Sequence, residues 1–192
     1  MVSGILTANS GLKIIIADEN SHLGGSLLTE SDIKINSSTS SEWAIKTEKY
    51  LEKMKNVTIL RNSNVFGYHD HNYITIAEKC LNYSFQNSST KPKQRLWKVR
   101  AKKVILAQGL FERPLTISGN DLPGVMLSAS VRGYINKYGV LPGKEVVICT
   151  NNDDAYRTAI DLNRVGANVK YIVDLRKETS GEILKAIKKI GI

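Results

Sequence analysis

Two acidic residues follow a short isoleucine-rich run near the start of the chain. Three consecutive isoleucines predict a strand over Lys13–Asp18 that is buried on both faces, and Glu19 and Asn20 follow directly. In a strand–helix–strand unit that binds a dinucleotide, an acid at the end of the second strand accepts hydrogen bonds from the ribose hydroxyls. The spacing therefore predicts Asp18 as a ribose-binding residue. The alternative is a polar residue that simply ends a strand.

The phosphate-binding turn of such a unit is expected outside this sequence. The acid lies about 20 residues beyond the glycine-rich turn, and counting back from Asp18 places that turn at or before Met1. Gly4 is an alternative last glycine, but a helix from Gly4 to Gly11 would span only about two turns. We therefore expect the first strand and the whole glycine-rich loop to lie upstream. Without them, this chain should bind dinucleotides poorly and have low stability alone.

Two further glycine-containing segments could approach a ligand with their backbone. The first is the loop that carries Gly24, Gly25 and Ser26. The second follows a short apolar run that predicts a strand over Lys103–Ala107, and it continues into Gln108 and Gly109. Glycine lets a backbone come close to a bound group because it has no side chain.

Arg113 is the remaining candidate for cofactor binding. A guanidinium can pair with a phosphate or a carboxylate through two parallel hydrogen bonds. A structural salt bridge with Glu112 or Asp121 explains the same residue equally well, and the sequence leaves both possibilities open.

The sequence contains no convincing metal site or nucleophile. His69 and His71 lie two positions apart, but a polar hairpin turn accounts for them, and no further ligand is spaced for a closed site. With three histidines in the chain, general-base candidates are scarce, and we nominate no catalytic residue. Neither of the two cysteines, Cys80 and Cys149, belongs to a metal or redox motif, which weakly favours a cytoplasmic location.

The predicted elements alternate between strands and helices. We predict an α/β fold: an incomplete Rossmann-like FAD/NAD(P)-binding domain over residues 1–126, with an antiparallel insertion at about 64–100, and the start of a second Rossmann-like domain over 127–192. The predicted helices are 2–10, Ser41–Lys55, Leu127–Tyr138, Asp153–Val165 and Ser180–Ile190. The predicted strands are Lys13–Asp18, Val57–Leu60, a hairpin within Asn64–Phe85, Arg95–Val99, Lys103–Ala107, Glu145–Cys149 and Asn168–Asp174.

The second predicted domain lacks a working phosphate loop. Thr150–Tyr156 lies between a strand and a helix, where that loop should be, but it contains no glycine and carries Asp153 and Asp154. These acids suit a helix N-terminus as caps and would repel a pyrophosphate. Asp174, which ends the next strand, is accordingly interpreted as structural.

Composition excludes several classes of function. The net charge is +9, but the basic residues are scattered and form no stripe interleaved with aromatic residues, so a nucleic-acid partner is not expected. No run of residues approaches the roughly 20 apolar positions of a membrane span, and no membrane association is expected. A basic chain also suits an enzyme that binds anionic dinucleotides or docks on an acidic partner subunit.

Several segments resemble known flavoproteins. Ile14–Asn20 with Leu23–Leu27 is similar to the second strand and following loop of the disulfide-reductase-like, FAD/NAD(P)-binding superfamily. Lys103–Gly109 resembles a later strand of that superfamily, which usually ends in Ala-Thr-Gly and passes under the cofactor, whereas this chain has Gln108. The resemblance implies that both segments contact the cofactor, through Gly24, Gly25, Ser26, Ala107, Gln108 and Gly109. More specific segments resemble the alpha subunit of heterotetrameric sarcosine oxidase: Val65–Tyr73, Gly109–Pro114, Gly119–Leu127, Thr150–Tyr156 and Val173–Arg176. Opine-oxidase and cyanide-forming glycine-dehydrogenase subunits are near relatives of that family.

The resemblance implies a function shared between subunits. In that family, the alpha subunit holds a noncovalent dinucleotide, NAD in sarcosine oxidase, and helps to enclose an FMN attached to a beta subunit, where the amine is oxidised. The chain is thus expected to be a fragment of a sarcosine-oxidase-like amine oxidoreductase, inactive alone. NAD or FAD is the expected dinucleotide. Two alternatives remain: a generic flavin- or NAD(P)H-dependent reductase or opine-oxidase-type fragment, and a non-catalytic module that docks a partner.

Overall fold

The computed structural model describes residues 1–80, 92–177 and 181–191. The predicted hairpin end at Phe85 and the predicted helix start at Ser180 lie outside the described residues. The chain divides into two compact units: Met1–Leu27 with Lys34–Gly109, and Leu28–Ile33 with Leu110–Ile192. The later break between the two units falls between Gly109 and Leu110. The domain boundary predicted after residue 126 stays a prediction.

The first unit begins with helices on a parallel strand pair. Its elements are α1 (Val2–Asn9), β1 (Ile14–Ala17), β2 (Lys34–Ile35), β3 (Ser38–Thr39), α2 (Ser40–Glu52) and β4 (Val57–Leu60). Strand β1 pairs with β4 in parallel, from Ile14 opposite Val57 to Ala17 opposite Leu60. Helix α1 packs so closely on β1 that a Cβ on Gly4 would lie 3.0 Å from Cδ1 of Ile16. Ala8, Leu23 and Leu51 form the buried core between these elements.

The segment between β1 and α2, which includes the loop with Gly24, Gly25 and Ser26, contains local structure that the sequence analysis missed. A 3₁₀ turn covers Gly25–Leu28, and β2 and β3 pair as a short antiparallel hairpin. Helix α2 begins with a capping box: Thr39 Oγ1 accepts from Glu42 N, and the Glu42 carboxylate accepts from Thr39 N. The N-cap of α2 is therefore Thr39, because Glu42 completes the capping box with it.

An antiparallel insertion follows β4, as predicted. It consists of β5 (Ser63–His69), β6 (Tyr73–Lys79) and β7 (Gln94–Arg100), with β6 in the centre. A 3₁₀ turn over Asp70–Asn72 connects β5 to β6, and the pairing register shifts between Val65 and Gly67. Leu60, Ile74 and Ile76 form the buried core of this part of the unit.

The strand predicted over Lys103–Ala107 is not formed. No described residue pairs with this segment, and an extended segment becomes a strand only where a neighbouring strand provides its hydrogen-bond partners. Val104 packs against the core at Leu60, but Ile105 is 62% exposed and Leu106 is 64% exposed. The assignment of this apolar run as a strand was therefore wrong.

The second unit contains the predicted strand–helix–strand–helix order. Its elements are α3 (Ser128–Tyr138), β8 (Glu145–Thr150), α4 (Asp154–Arg164), β9 (Asn168–Asp174) and α5 (Glu182–Lys189). Strands β8 and β9 pair in parallel, and α4 buries Ala159 and Leu162 completely. Together with the first unit, this confirms a mixed α/β fold with parallel and antiparallel sheets.

A polar network fixes the segment Leu28–Ile33 within the second unit. Asn136 Nδ2 donates to the backbone oxygen of Thr29 at 2.7 Å, and Ser31 Oγ donates to the buried carboxylate of Asp161 at 2.5 Å. Arg132, itself buried, lies 3.5 Å from the Glu30 carboxylate, where burial raises the pKa of Glu30. A segment that precedes α2 in the sequence therefore belongs to the second unit.

Candidate functional site

Asp18 is held at the end of β1 by its backbone and presents one free carboxylate oxygen. Its N–H donates to the Leu60 oxygen at 2.9 Å, and its own carbonyl accepts from Ser63 N at 2.8 Å. Oδ1 accepts from both the backbone N and the side-chain Nδ2 of Asn20, at 2.9 and 3.2 Å. Oδ2 makes no hydrogen bond with any described residue, so it remains available as an acceptor for a hydroxyl group.

A polar hollow lies beside Asp18 in the same unit. It has a volume of about 420 Å³ and is lined by Glu19, Asn20, Asn62, Asn64, Ala77, Glu78, Lys79 and Gln94. Glu78 in its wall is already used, because it accepts from Trp97 Nε1 at 2.7 Å and from Arg95 at 3.0 Å. The lining offers amide, carboxylate and ammonium groups, and these suit a hydroxyl-rich or otherwise polar ligand. Sequence analysis found Glu19 and Asn20 but not the rest of this lining, which comes from strands distant in sequence.

The loop after Asp18 exposes backbone that only glycine adopts easily. Gly24 and Gly25 have φ values of 130° and 54°, and Gly25 begins the 3₁₀ turn that includes Ser26. Gly25 and Ser26 are exposed. The loop thus combines a fixed left-handed conformation with access from solvent, as a backbone contact to a ligand would require.

The other predicted cofactor residues are not joined to Asp18 by hydrogen bonds. Ala107, Gln108 and Gly109 are exposed, and Gly109 has a φ of 71°. Within the part of the chain that the structure describes, no hydrogen bond connects them to Asp18, Glu19 or Asn20. Their predicted role in cofactor binding stays a prediction.

Arg113 lies in the second unit, in a hollow of about 380 Å³ at the end of β8 that also includes Thr150–Asn152 and Cys149. Glu112 does not pair with it, because the Glu112 carboxylate accepts from the first backbone N–H groups of α3, Ser128 at 3.2 Å and Ala129 at 2.7 Å. Arg113 forms no ion pair with Asp121 or with any other described residue. Its guanidinium is therefore available to an anionic group.

In the strand–helix–strand motif β8–α4–β9, the polar side chains at the strand ends bond one another. Arg176 bonds Asp153 at 2.7 Å and also Asp174 at 2.7 Å, and Tyr156 OH donates to Asp174 at 2.9 Å. The hydrogen bonds from Arg176 lower the pKa of Asp174 strongly, while burial and the Asp174 contact raise the pKa of Tyr156. Asp174 is thus saturated with donors, which supports its interpretation as a structural residue.

Asp153 and Asp154 do not cap α4 with their side chains, because each pairs with an arginine instead. Asp154 binds Arg132 at 2.6 Å, and Asn152 Oδ1 accepts from Asp154 N at 3.0 Å in the position of a cap. The feature that still speaks against phosphate binding by the Thr150–Tyr156 loop is its lack of a glycine.

The histidines at the hairpin turn serve the turn itself. His71 adopts a left-handed conformation with a φ of 61°, and His69 packs against the ring of Tyr73. Within residues 1–80, 92–177 and 181–191, no three His, Cys, Asp or Glu side chains are grouped closely enough to hold a metal ion. None of the helices described in these ranges has the length and apolar character needed to cross a membrane.

Two buried polar residues of α2 escaped the sequence analysis. Ser40 is 0% exposed and Glu48 is 4% exposed, and both contact the loop that carries Gly24 and Gly25. A signal was present in the helix pattern. Glu48 lies between Ala44 and Leu51 at helical spacing, so a charged residue interrupts the apolar face of the helix.

Comparison with known proteins finds several similar chains. The "Sarcosine oxidase subunit alpha" of Rhizobium meliloti (strain 1021) is 37% identical over 176 residues, which cover 92% of this chain and 18% of that protein. Proteins of the same name from Corynebacterium sp. strains P-1 and U-96 are each 32% identical over 181 residues, 94% of this chain and 19% of theirs. The chain therefore spans about a fifth of the length of these curated relatives. No family model matches it.

One solved structure has the same fold. The crystal structure of L-proline dehydrogenase from P. horikoshii aligns with a TM-score of 0.69 at 20% identity, covering 94% of this chain and 34% of that one. The similarity at this identity concerns the fold alone. The comparisons thus confirm the family resemblance predicted from the sequence motifs, and the structural match agrees with the mixed α/β architecture.

Proposed function

We propose that this chain is the dinucleotide-binding portion of an amine oxidoreductase. The proposal starts from the similarity of nearly all of the chain to part of the sarcosine oxidase alpha subunit. The observation that carries this proposal is the Asp18 carboxylate at the end of a parallel strand, with one oxygen held by Asn20 and the other free. An acceptor in this position suits the ribose hydroxyls of a dinucleotide.

The residues of the first unit fit the sugar part of NAD or FAD. Asp18 would accept from ribose hydroxyls, and the exposed backbone of Gly24, Gly25 and Ser26 would approach the cofactor. NAD is favoured by the family resemblance. A bound dinucleotide of this kind supplies redox chemistry that no side chain can provide. The glycine-rich phosphate turn expected upstream stays a prediction.

The reaction that we propose for the complete protein is the oxidative demethylation of sarcosine or a related secondary amine. The amine would be oxidised on a flavin of a beta-type partner subunit within a hetero-oligomer. This chain would contribute dinucleotide binding and subunit contacts, and would help to enclose an FMN shared with that subunit. It would be inactive alone. Both described cysteines, Cys80 and Cys149, are free thiols, which supports a cytoplasmic location.

Arg113 is proposed to bind an anionic group, since its guanidinium has no ion-pair partner among the described residues and it lines a hollow with Thr150, Asn151 and Asn152. Because it belongs to the second unit, this contact is separate from the Asp18 acceptor in our proposal. A phosphate or a carboxylate would satisfy the same geometry.

Titration calorimetry with NAD and with FAD tests the proposal. It should be applied to this chain and to a version extended at its N-terminus by the residues that precede the matched segment in the Rhizobium meliloti relative. We expect weak or no binding by the chain itself and clear binding by the extended chain. Tight binding by the unextended chain would contradict the expectation that the phosphate turn lies upstream. No binding by a folded extended chain would favour the docking module instead.

Asp18→Asn in the extended chain tests the residue that carries the proposal. A neutral amide presents one acceptor oxygen where the carboxylate has two, so affinity should fall roughly tenfold, in keeping with the loss of one charge-assisted hydrogen bond. Asp70→Asn is the matched control, because Asp70 is an exposed acid in the hairpin turn of the same unit. Equal affinities for the two variants would remove Asp18 from the site.

A further inference from the structure

Helix α2 buries polar side chains on the face where only apolar residues are expected. Ser40 is 0% exposed and Glu48 is 4% exposed, on the same helix that buries Ala44 and Leu51. A buried hydroxyl or carboxylate costs free energy unless it finds a partner. The partners of these two residues therefore indicate what the helix holds in place.

Both residues bind the loop that carries the glycine pair, and they bind it at opposite ends. Ser40 Oγ donates to the backbone oxygen of Leu27 at 2.8 Å. Glu48 Oε2 accepts from the backbone N–H of Leu23 at 3.4 Å, and the Leu23 side chain is 1% exposed. Gly24, Gly25 and Ser26 lie between the two attachment points.

The charge of Glu48 is balanced on the side away from the loop. Arg61 Nε donates to Glu48 Oε1 at 2.7 Å, and Arg61 also bonds Glu52. Arg61 thereby engages Oε1 and leaves Oε2 for the Leu23 N–H, with the exposed His22 imidazole 3.5 Å away. A single buried carboxylate thus serves an ion pair with the part-buried Arg61 and the loop at the same time.

We infer that Ser40 and Glu48 are positioning residues that hold the loop Leu23–Leu27 ready for its ligand. This inference rests on the proposed dinucleotide function and goes beyond it. A loop that is already ordered loses little conformational freedom on binding, so its ligand binds more tightly. If either attachment is lost, the loop samples other conformations, and the apparent affinity falls with the fraction that is competent to bind.

Amide hydrogen exchange on the chain as it stands tests the attachments without any ligand. Ser40→Ala removes the hydroxyl and little else, so exchange at residues 24–27 should quicken roughly five- to tenfold. Ser41→Ala is the matched control, because the neighbouring Ser41 hydroxyl contacts only the Thr39 hydroxyl among the described residues. Its loop amides should exchange at the wild-type rate.

Glu48→Gln provides a second variant on the other attachment. The two donors approach different oxygens of Glu48, and in glutamine one of these positions becomes an NH2 group. With the remaining oxygen turned towards Arg61, the Leu23 N–H loses its acceptor, so the Leu23 amide should exchange faster. Glu52→Gln is its control, since Glu52 shares the Arg61 partner but is 45% exposed and has no hydrogen bond to the loop. Unchanged loop exchange in both Ser40→Ala and Glu48→Gln overturns the inference. So does an equal rise across β4 and β6, which is what a merely structural role predicts.

Calorimetry with NAD on the extended chain separates this inference from the function on which it rests. Ser40→Ala should raise Kd by about the factor by which it speeds loop exchange, whereas Ser41→Ala should leave Kd unchanged. Wild-type binding with an unchanged Kd in Ser40→Ala overturns the positioning role alone. If the wild-type extended chain binds neither NAD nor FAD, the proposed function fails, and the ligand role of the loop fails with it.

Discussion

At the scale of single residues, two aspartates at the ends of parallel strands differ in how many hydrogen bonds their carboxylates accept. Asp18 keeps one carboxylate oxygen without a hydrogen bond from the described residues, and Asp174 accepts from Tyr156 and repeatedly from Arg176. The same residue type in a similar place is therefore available to a ligand in one unit and committed to structure in the other. Sequence position alone cannot distinguish these two states.

The pH dependence of the free energy of unfolding should show that the charged Asp174 carboxylate stabilises the fold. Its pKa is lowered in the folded chain by the bonds from Arg176, so it stabilises the fold fully above the unfolded pKa of about 3.9 and loses that effect as the pH falls towards the folded value. We expect Asp174→Asn to be less stable than wild type at pH 7, with a difference that shrinks below about pH 4. Urea unfolding of both proteins at pH 7 and at about pH 3 measures this difference in the free energy of unfolding.

Asp121→Asn is the control for that experiment, since Asp121 is an exposed acid of the same unit. Its stability should follow wild type at both pH values. A difference between Asp174→Asn and wild type that is as large at pH 3 as at pH 7 would contradict the role assigned to the charged carboxylate.

At the scale of elements, the register shift in the β5–β6 hairpin depends on one glycine. A Cβ on Gly67 would collide with Thr75 Oγ1 and would lie 2.5 Å from His69 Nε2. Thr75 Oγ1 is buried and has no hydrogen-bond partner among the described residues, and it lies where the added Cβ would have to go. The hairpin therefore has no room for a side chain at this position.

Gly67→Ala should lower the free energy of unfolding by about 1–3 kcal/mol, as overpacking of a filled site usually does. Gly143→Ala is the matched control, because the nearest atoms to its Cβ would be 4.0 Å away. That variant should stay within about 1 kcal/mol of wild type or gain slightly. Urea denaturation of both variants decides the matter, and equal stabilities would show that the hairpin adjusts without cost.

At the scale of the whole molecule, a run of large apolar side chains lies open to solvent. Ile105 is 62% exposed, Leu106 64%, Phe111 88% and Leu110 100%. Scattered apolar residues are ordinary on a protein surface, but neighbouring apolar side chains as fully exposed as Leu110 and Phe111 mark a surface that associates with other protein. The same stretch contains Ala107, Gln108 and Gly109, which were predicted to contact the cofactor.

The chain should therefore self-associate in solution. Sedimentation velocity should show a mass that rises with concentration for the wild type and stays near the monomer for a Leu110→Ser, Phe111→Ser double variant. Leu12→Ser, which changes an isolated leucine that is 57% exposed, should associate like the wild type. A wild-type chain that remains monomeric at all concentrations would show that this run is covered in solution.

The sequence by itself determined those elements whose signal is local. Segments rich in β-branched and aromatic residues identified the strands Val57–Leu60 and Asn168–Asp174 to the residue. Periodic apolar positions identified the helices to within a few residues. The motifs also identified the family resemblance that the comparisons confirm, because they preserve residue types in a fixed order.

Only the tertiary structure decided which residues act together. Lys103–Ala107 has the composition of a strand, yet a strand requires a partner, and none of the described residues pairs with it. In the sequence Glu48 has the appearance of a surface acid, but the fold brings Arg61 and Leu23 to it. Glu112 was a possible ion-pair partner of Arg113, but in the structure it caps α3. Hydrogen bonding and burial depend on groups that are distant in sequence, so no local pattern contains them.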